Sequence, residues 1–247
     1  MSRVQAYEGM KFFTFYPVQT VAHLIEYSAE RRIAVTEAIR EHLTAARTLG
    51  GAPLVTHERL AYLAHQKRIP LEAVVADALE RATQRLPEAP PSTKTNIREY
   101  TPEEVQALLK DANVNKHSIR GSGVRFQPTL PLQEIAHLER YATRHRCGLP
   151  EAGRERLEFW RTLGGISIEA HRRIAQFAAS KGISLESAVA NLLTEYAREL
   201  EDPPPSLQLD NGLQVLPAEG LLERLGKQLL DEKKRAAKRK PGKKASG

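Results

Sequence analysis

Residues 47–51 (RTLGG) recur unchanged at residues 161–165, 114 positions further along the chain. Extending the comparison outward at this spacing aligns residues 17–86 with residues 131–200 without a gap, and 29 of the 70 aligned pairs are identical. Chance does not produce a gapless match of this length, so the sequence predicts an internal duplication. We therefore expect the two segments to fold as equivalent blocks related by pseudo-twofold symmetry.

A weaker repeat divides each block in two. At a spacing of 36, Leu24 aligns with Leu60 in the first block and Leu138 aligns with Ile174 in the second. Apolar residues recur every three or four positions in each unit, which is the period of an amphipathic α-helix. The sequence thus predicts four pairs of helices, which begin near residues 17, 53, 131 and 167.

Two short segments have the composition of β-strands. Residues 11–16 (KFFTFY) are rich in aromatic side chains, and residues 124–130 (VRFQPTL) alternate between apolar and polar side chains. Pro128 restricts the second segment to an unpaired edge or an irregular ribbon, because proline cannot donate to a strand ladder. Each segment directly precedes the first helix of its block. The predicted fold class is mainly α, with short β-ribbon strands.

Composition divides the chain into five segments. Residues 1–86 and 124–200 contain the two blocks, residues 87–123 and 201–226 are Pro-rich connectors, and residues 227–247 form a basic tail that we expect to be disordered. The tail holds nine Lys and Arg residues and two acidic residues, whereas the remaining 28 basic and 28 acidic residues cancel. The net charge of +7 therefore belongs to the tail. Each connector contains one helix candidate, at residues 102–110 and 218–230.

Several classes of protein are disfavoured by what the sequence lacks. It has no run of 18 apolar residues for a membrane span and no signal-peptide pattern at its N-terminus. The single cysteine, Cys147, cannot form an intramolecular disulfide. The histidines lack metal-ligand spacing, and no nucleophile or phosphate-loop motif occurs. We expect no metal, no cofactor, no enzymatic activity and no membrane partner, and a cytoplasmic location, nucleoid-associated if the host is bacterial.

Within each block, the order of strand, proline, helix, turn and second helix resembles the ribbon–helix–helix superfamily of DNA-binding proteins. The second helix begins with residues 36–41 (TEAIRE), and residues 170–185 are similar to the antitoxin branch of the superfamily. The resemblance covers about residues 10–86 and 124–200. The other residues that stand at matching spacing are Pro17, Val21, Leu24 and Ile33.

The resemblance implies that two units interlock and pair their strands into a ribbon that enters the DNA major groove. Outward side chains of the ribbon then contact bases, while the N-terminus of each second helix contacts phosphate. The implied base-contacting residues are Arg125, Gln127, Thr129 and Lys11. The implied phosphate contacts are Ala34, Val35, Thr36, Gly148 and Leu149. Apart from the resemblance, the charge of the tail predicts phosphate contacts that do not depend on sequence, from Lys233, Lys234, Arg235, Lys238, Arg239 and Lys240.

The sequence departs from the family pattern in its second and fourth units. Residues 50–55 (GGAPLV) and 164–169 (GGISIE) stand where those units would have strands, and neither has the composition of one. Two arrangements stay open at this point. Either the strands of the first and third units pair within the chain, or each block folds as a degenerate pseudo-dimer. The aromatic residues Phe12, Phe13, Phe15 and Tyr16 are expected to pack into the core rather than to stack on bases.

Two functions follow from this pattern. The first is a DNA-binding accessory or regulatory protein that contacts double-stranded DNA, with a role in transcription regulation, plasmid partition or DNA transfer. The second is a non-enzymatic helical scaffold or adaptor, with a protein partner, that has lost base readout. A helix-turn-helix fold is the weaker alternative, because the units repeat as two helices without a third supporting helix. An intrachain pseudo-dimer is expected, and further oligomerisation is left open.

Overall fold

The computed structural model describes residues 9–12, 14–95, 97–112, 114, 119–120 and 123–204. The helix candidate at residues 218–230 and the basic tail lie outside the described residues, as does Phe13. In the described part the chain forms nine α-helices: α1 (Val18–Arg31), α2 (Val35–Thr48), α3 (Leu54–Lys67), α4 (Leu71–Thr83), α5 (Pro102–Asp111), α6 (Leu132–His145), α7 (Leu149–Thr162), α8 (Ile168–Lys181) and α9 (Leu185–Ala197).

Short antiparallel strands complete the regular structure of these residues: β1 (Gly9–Lys11), β2 (Thr14–Pro17), β3 (Ile119–Arg120), β4 (Gly123–Phe126) and β5 (Thr129–Pro131). Strand β1 pairs with β5, and β2 pairs with β4, which also pairs with β3. The predicted fold class, mainly helical with short antiparallel strands, is confirmed. No helix among the described residues has both the length and the apolar character needed to cross a membrane.

The helices of the two blocks have matching bounds. Helix α1 begins at Val18 and α6 begins at Leu132, which is the spacing of 114 found in the sequence, and the same spacing separates the bounds of α2 and α7, α3 and α8, and α4 and α9. Helix α5 lies outside this set and packs against α1. Its start is fixed by a capping box, in which Thr101 and Glu104 bond to each other's backbone N–H groups.

The two blocks pack mainly against each other. Helix α2 packs along α7, and α4 packs along α9. An apolar core joins both blocks and includes Leu60, Leu79, Trp160 and Leu193, each nearly or fully buried. Burial of a large aliphatic side chain contributes about 1.5–3 kcal/mol, so these contacts between the blocks are a major source of stability.

Gly50 permits a close backbone approach between the blocks. It lies after α2 with a φ of +73°, a left-handed conformation that favours glycine. A Cβ atom at this position would lie 2.2 Å from the carbonyl oxygen of Glu186, in the first turn of α9. Gly51 also has a positive φ, of +92°, but a Cβ there would meet nothing within 4 Å.

Candidate nucleic-acid interface

Strands from the two blocks form one antiparallel ribbon. Gly9 faces Pro131 at one end and Pro17 faces Gly123 at the other, and the pairs of β1 with β5 follow the same register as the pairs of β2 with β4. Of the two arrangements that the sequence left open, the structure has the first, in which the strands of units one and three pair within the chain.

The ribbon is interrupted near its middle. The sequence predicts continuous strands over residues 11–16 and 124–130, and the structure divides both. The first is divided between β1 and β2, and the second is divided into β4 and β5 by Gln127 and Pro128. The Phe12 N–H still donates to the carbonyl oxygen of Pro128 over 2.9 Å, which links the two halves of the ribbon. The irregular ribbon expected from Pro128 is confirmed, and Gln127 lies outside a strand.

The two faces of the ribbon differ in burial. Tyr16, Val124 and Leu130 are fully buried on the inner face, and burial raises the pKa of the Tyr16 hydroxyl far above its ordinary value. Phe12 is buried too, which confirms the expectation that it packs into the core, as Tyr16 does; Phe15 is half-buried. All four residues implied in base readout are exposed: Lys11, Arg125, Gln127 and Thr129.

The outward residues lie opposite one another in pairs. Lys11 faces Thr129, and Arg125 faces Phe15 on the other side of the interruption. The two cations therefore occupy diagonal positions on the ribbon. Neither ribbon segment, residues 9–17 or 123–131, contains an acidic residue. Their own charges thus give this surface a positive potential, to which phosphate groups are attracted.

Helix α7 supports the ribbon from below. The Thr14 hydroxyl donates to the carbonyl oxygen of Pro150, in the first turn of α7, over 3.2 Å. One turn further on, Gly153 makes room for the Phe12 ring, because a Cβ at this position would lie 2.6 Å from Phe12 Cζ. Ile39 stands at the aligned position of α2, so the sequence comparison could have marked Gly153 as a contact point.

The predicted phosphate-contact positions lie at the first turns of α2 and α7. Ala34 and Gly148 are the N-terminal cap residues of these helices, both are exposed, and neither provides a side-chain cap. Val35, Thr36 and Leu149 follow them and are half-buried. The backbone N–H groups of a first turn can bind an anion.

Two features weaken these first turns as phosphate sites. Pro150 has no backbone N–H to donate. Each first turn also carries a glutamate, Glu37 in α2 and Glu151 in α7. The six tail residues implied in phosphate contact, from Lys233 to Lys240, lie outside the described residues.

Strand β3 was not predicted from the sequence. It pairs with β4 only at Gly123 and Val124, at one end of the ribbon. The sequence signal that could have revealed it is the Gly-Ser-Gly turn at residues 121–123, which is typical of a hairpin. Among the described residues, no strand precedes α3 or α8, as the sequence predicted for units two and four.

Polar side chains are buried between the helices that carry the ribbon. His23 Nε2 lies 3.0 Å from His42 Nε2, and the Nδ1 of His42 lies 3.0 Å from the Ala38 carbonyl oxygen. Burial lowers the pKa of His23 to about 3 and that of His42 to about 4, and the proximity of His42 adds to the shift of His23. Both imidazoles are thus neutral at neutral pH, and the pair links α1 to α2.

No grouping of three or more metal-ligating side chains occurs among the residues that the structure describes. No family model, no curated protein and no solved structure matches the chain.

Proposed function

We propose that this chain is a DNA-binding accessory or regulatory protein that places its ribbon in the major groove of duplex DNA. The observation that carries the proposal is the composition of the outward ribbon face, where Lys11, Arg125, Gln127 and Thr129 are exposed above a fully buried inner face. Arginine favours guanine and glutamine favours adenine in the major groove, because each can form two hydrogen bonds to the base edge.

The width of the ribbon supports this placement. A two-stranded ribbon fits the major groove, which is about 12 Å wide. Strand β3 widens the sheet only beside Gly123 and Val124, so the part that includes Arg125, Gln127 and Thr129 stays two strands wide in the described residues.

The proposal includes an internal duplication whose two copies combine as an intrachain pseudo-dimer. Two reciprocal hydrogen bonds between the blocks support this arrangement. Arg59 donates to the carbonyl oxygen of Ala197 over 3.0 Å, while Arg173 donates to that of Thr83 over 3.3 Å. Both donors and both acceptors are separated by 114 positions, as expected for two copies related by a twofold axis.

A single-chain pseudo-dimer can present two different strands to DNA, whereas a homodimer presents two identical ones. The strand of the first unit contributes Lys11 and Phe15, and the strand of the third contributes Arg125, Gln127 and Thr129. The DNA site preferred by this chain should therefore lack a perfect palindrome, since operator symmetry mirrors protein symmetry.

A scaffold or adaptor is the second candidate function. The observation that favours it is the ribbon-free half of the structure, formed by α3, α4, α8 and α9, which repeats the helices of the family without its DNA-contacting element. In that case, the ribbon serves only to interlock the blocks.

Selection of binding sites from a random duplex library, followed by shift titrations of the enriched sequence at two salt concentrations, separates the two functions. The DNA-binding proposal predicts an enriched, asymmetric motif and binding that discriminates against unrelated duplex. A library that shows no enrichment with the full-length chain would contradict base readout and favour the scaffold.

A further inference from the structure

The ends of helices α4 and α9 border an open groove of about 400 Å³, in the half of the structure that lacks the ribbon. Its floor is formed by apolar side chains that are buried or half-buried: Ala82, Leu86, Phe177, Leu192 and Tyr196. Its rim is formed by exposed charged side chains: Arg81 and Arg85 beside α4, and Glu195 and Glu199 beside α9. An apolar centre inside a polar rim, with aromatic residues and arginine, is the usual composition of a surface that binds another protein.

The weaker sequence repeat, at a spacing of 36, locates the equivalent surface on α2 and α7. The end of α2 aligns with the end of α4, and the end of α7 aligns with the end of α9. The aligned pairs are Ala45 with Arg81, Leu49 with Arg85, Phe159 with Glu195, Trp160 with Tyr196, and Leu163 with Glu199. All five residues at the ends of α2 and α7 are buried in the apolar core that joins the blocks.

The surface at the ends of α2 and α7 is covered by other helices of this same chain. Gly50, after α2, lies against the carbonyl oxygen of Glu186 in the first turn of α9. Gly164, after α7, lies against the first turn of α4, since a Cβ there would be 3.1 Å from the Glu72 carbonyl oxygen. In the part of the chain that the structure describes, the equivalent surface at the ends of α4 and α9 is open.

We propose that the groove binds a second copy of this chain, so that the end of α4 in one protomer packs against the end of α9 in the other. The aligned surface already packs against helices of this chain, and the groove therefore suits the same kind of partner. A head-to-tail stack would need the opposite ends of α2 and α7, against which the ribbon packs. The proposed contact is accordingly groove against groove about a twofold axis, which closes at two copies.

Charges on the rim determine which helices meet. At the spacing of 114, Arg81 aligns with Glu195 and Arg85 aligns with Glu199, so the two sides of the groove carry opposite charges. When α4 of one protomer faces α9 of the other, arginines meet glutamates on both sides of the twofold axis. Packing of α4 against α4 would instead oppose like charges, which is unfavourable.

The rim charges also have partners within the chain, and these pairs are exposed. The pairs are Arg85 with Glu199, Arg81 with Asp77, and Arg198 with Glu195. Every side chain in these pairs is more than a third exposed. Exposed ion pairs contribute little to folding, so a facing chain can share these charges without loss of a structural contact. The apolar floor would then supply the affinity and the rim the orientation.

Sedimentation equilibrium of the full-length chain measures the association. With rising concentration, the mass should move from that of one chain toward that of two, and no further. Leu86→Arg should weaken the association roughly tenfold or more, because the interface would then bury an unpaired charge. Leu54→Arg is the matched control and should associate as the wild type does, since Leu54 is 52% exposed at the start of α3, outside the groove. A thermal melt of each variant checks that it is folded.

A pair of charge-reversed chains tests the orientation at exposed positions. The first chain carries Arg81→Glu and Arg85→Glu, and the second carries Glu195→Arg and Glu199→Arg. Each chain alone should associate roughly tenfold or more weakly than the wild type, because like charges then face each other. An equimolar mixture should recover the association, since each α4 again faces an oppositely charged α9. Both chains keep a positive net charge, because the wild type carries +7 and each variant changes it by four, so general attraction does not explain a recovery.

Three results would overturn the proposal. The first is a wild-type chain that stays monomeric at every concentration. The second is equal self-association of Leu86→Arg and the wild type, which would place the contact outside the groove. The third is a mixture of the charge-reversed chains that associates no more tightly than either chain alone, which would exclude the packing of α4 against α9.

Discussion

The hydroxyl of Thr20 donates to Glu158 Oε2 over 3.1 Å. At the two aligned positions, 134 and 44, a glutamate stands in place of the threonine and a threonine in place of the glutamate. There, the Thr44 hydroxyl donates to Glu134 Oε1, also over 3.1 Å. Glu134 is aligned with Thr20, and Thr44 is aligned with Glu158. An arginine completes each cluster, Arg47 in one and Arg161 in the other. The two clusters thus contain the same hydrogen bond, but the carboxylate lies on α7 in one cluster and on α6 in the other.

This exchange predicts a rescue. The variant Glu134→Thr should lower the free energy of unfolding by about 3–5 kcal/mol, because it leaves the half-buried Arg47 beside a site that no longer holds a carboxylate. Adding Thr44→Glu should recover most of the loss, since it rebuilds the arrangement of Thr20, Glu158 and Arg161. Urea unfolding of both single variants and of the double variant gives the coupling energy. If the changes in unfolding free energy were additive, Thr44→Glu would not compensate for the loss of Glu134, and the two clusters would not be interchangeable.

Gly50 and Gly51 form a matched pair for a second prediction. Gly50→Ala should destabilise the protein by several kcal/mol, because it combines a left-handed backbone with a Cβ placed 2.2 Å from the Glu186 carbonyl oxygen. Gly51→Ala carries only the backbone penalty, which is about 1–2 kcal/mol. Thermal melts of the two variants measure the difference. Equal losses of stability in the two variants would contradict the close approach of the Glu186 carbonyl oxygen to Gly50.

The histidine pair predicts a loss of stability in mild acid. The pKa values of His23 and His42 are about 3 and about 4 in the folded state, below the ordinary value of about 6.5 that holds in the unfolded chain. As the pH falls below 6.5, the unfolded state binds protons that the folded state does not, so the free energy of unfolding should fall with pH toward about 4. Each histidine contributes up to about 1.4 kcal/mol per pH unit. His42→Gln should reduce this slope in denaturant titrations, and an unchanged slope would exclude His42 as a source.

Arg125 is the residue whose loss should alter DNA sequence preference, if the ribbon contacts bases as proposed. Arg125→Ala should cost roughly 1–3 kcal/mol at one base position, the usual contribution of a bidentate arginine contact. Lys181→Ala, which removes an exposed charge from α8, is the control and should leave the selected motif unchanged. Binding-site selection with each variant, alongside a thermal melt, makes the comparison. Identical motifs from Arg125→Ala and the wild type would place base readout elsewhere.

Deletion of residues 227–247 should weaken binding to all duplexes and flatten its dependence on salt. The segment holds nine basic residues, and the slope of log K against log salt should fall by roughly 0.9 for every phosphate that the shortened chain no longer neutralises. The sequence preference should persist, because binding to phosphate does not distinguish bases. A full-length variant with glutamine at Lys233, Lys234, Arg235, Lys238, Arg239 and Lys240 separates charge from length. A truncated chain with an unchanged salt slope would contradict a phosphate-binding tail.

Much of the local structure was predictable from the sequence. Helical periodicity and the repeat placed the four pairs of helices, and Pro128 predicted the irregular ribbon. The partner of each strand was not predictable, because Thr14 and Phe126 are far apart in sequence and local patterns carry no information on such pairing. The polar contacts were missed for the same reason. Thr20 and Glu158 are each unremarkable in their own helix, and their hydrogen bond exists only because α1 and α7 meet.

The pairing of β2 with β4 also constrains how the protein can be made. Gly123, the partner of Pro17, lies 106 residues further along the chain. On the ribosome, at about 5–20 residues per second, the first strand must therefore wait several seconds before its partner is synthesised. During that interval its aromatic residues are exposed and its edge is unpaired, which is the condition in which strands aggregate. Nascent chains that do not yet include Gly123 should accordingly depend on chaperones more than the finished protein does.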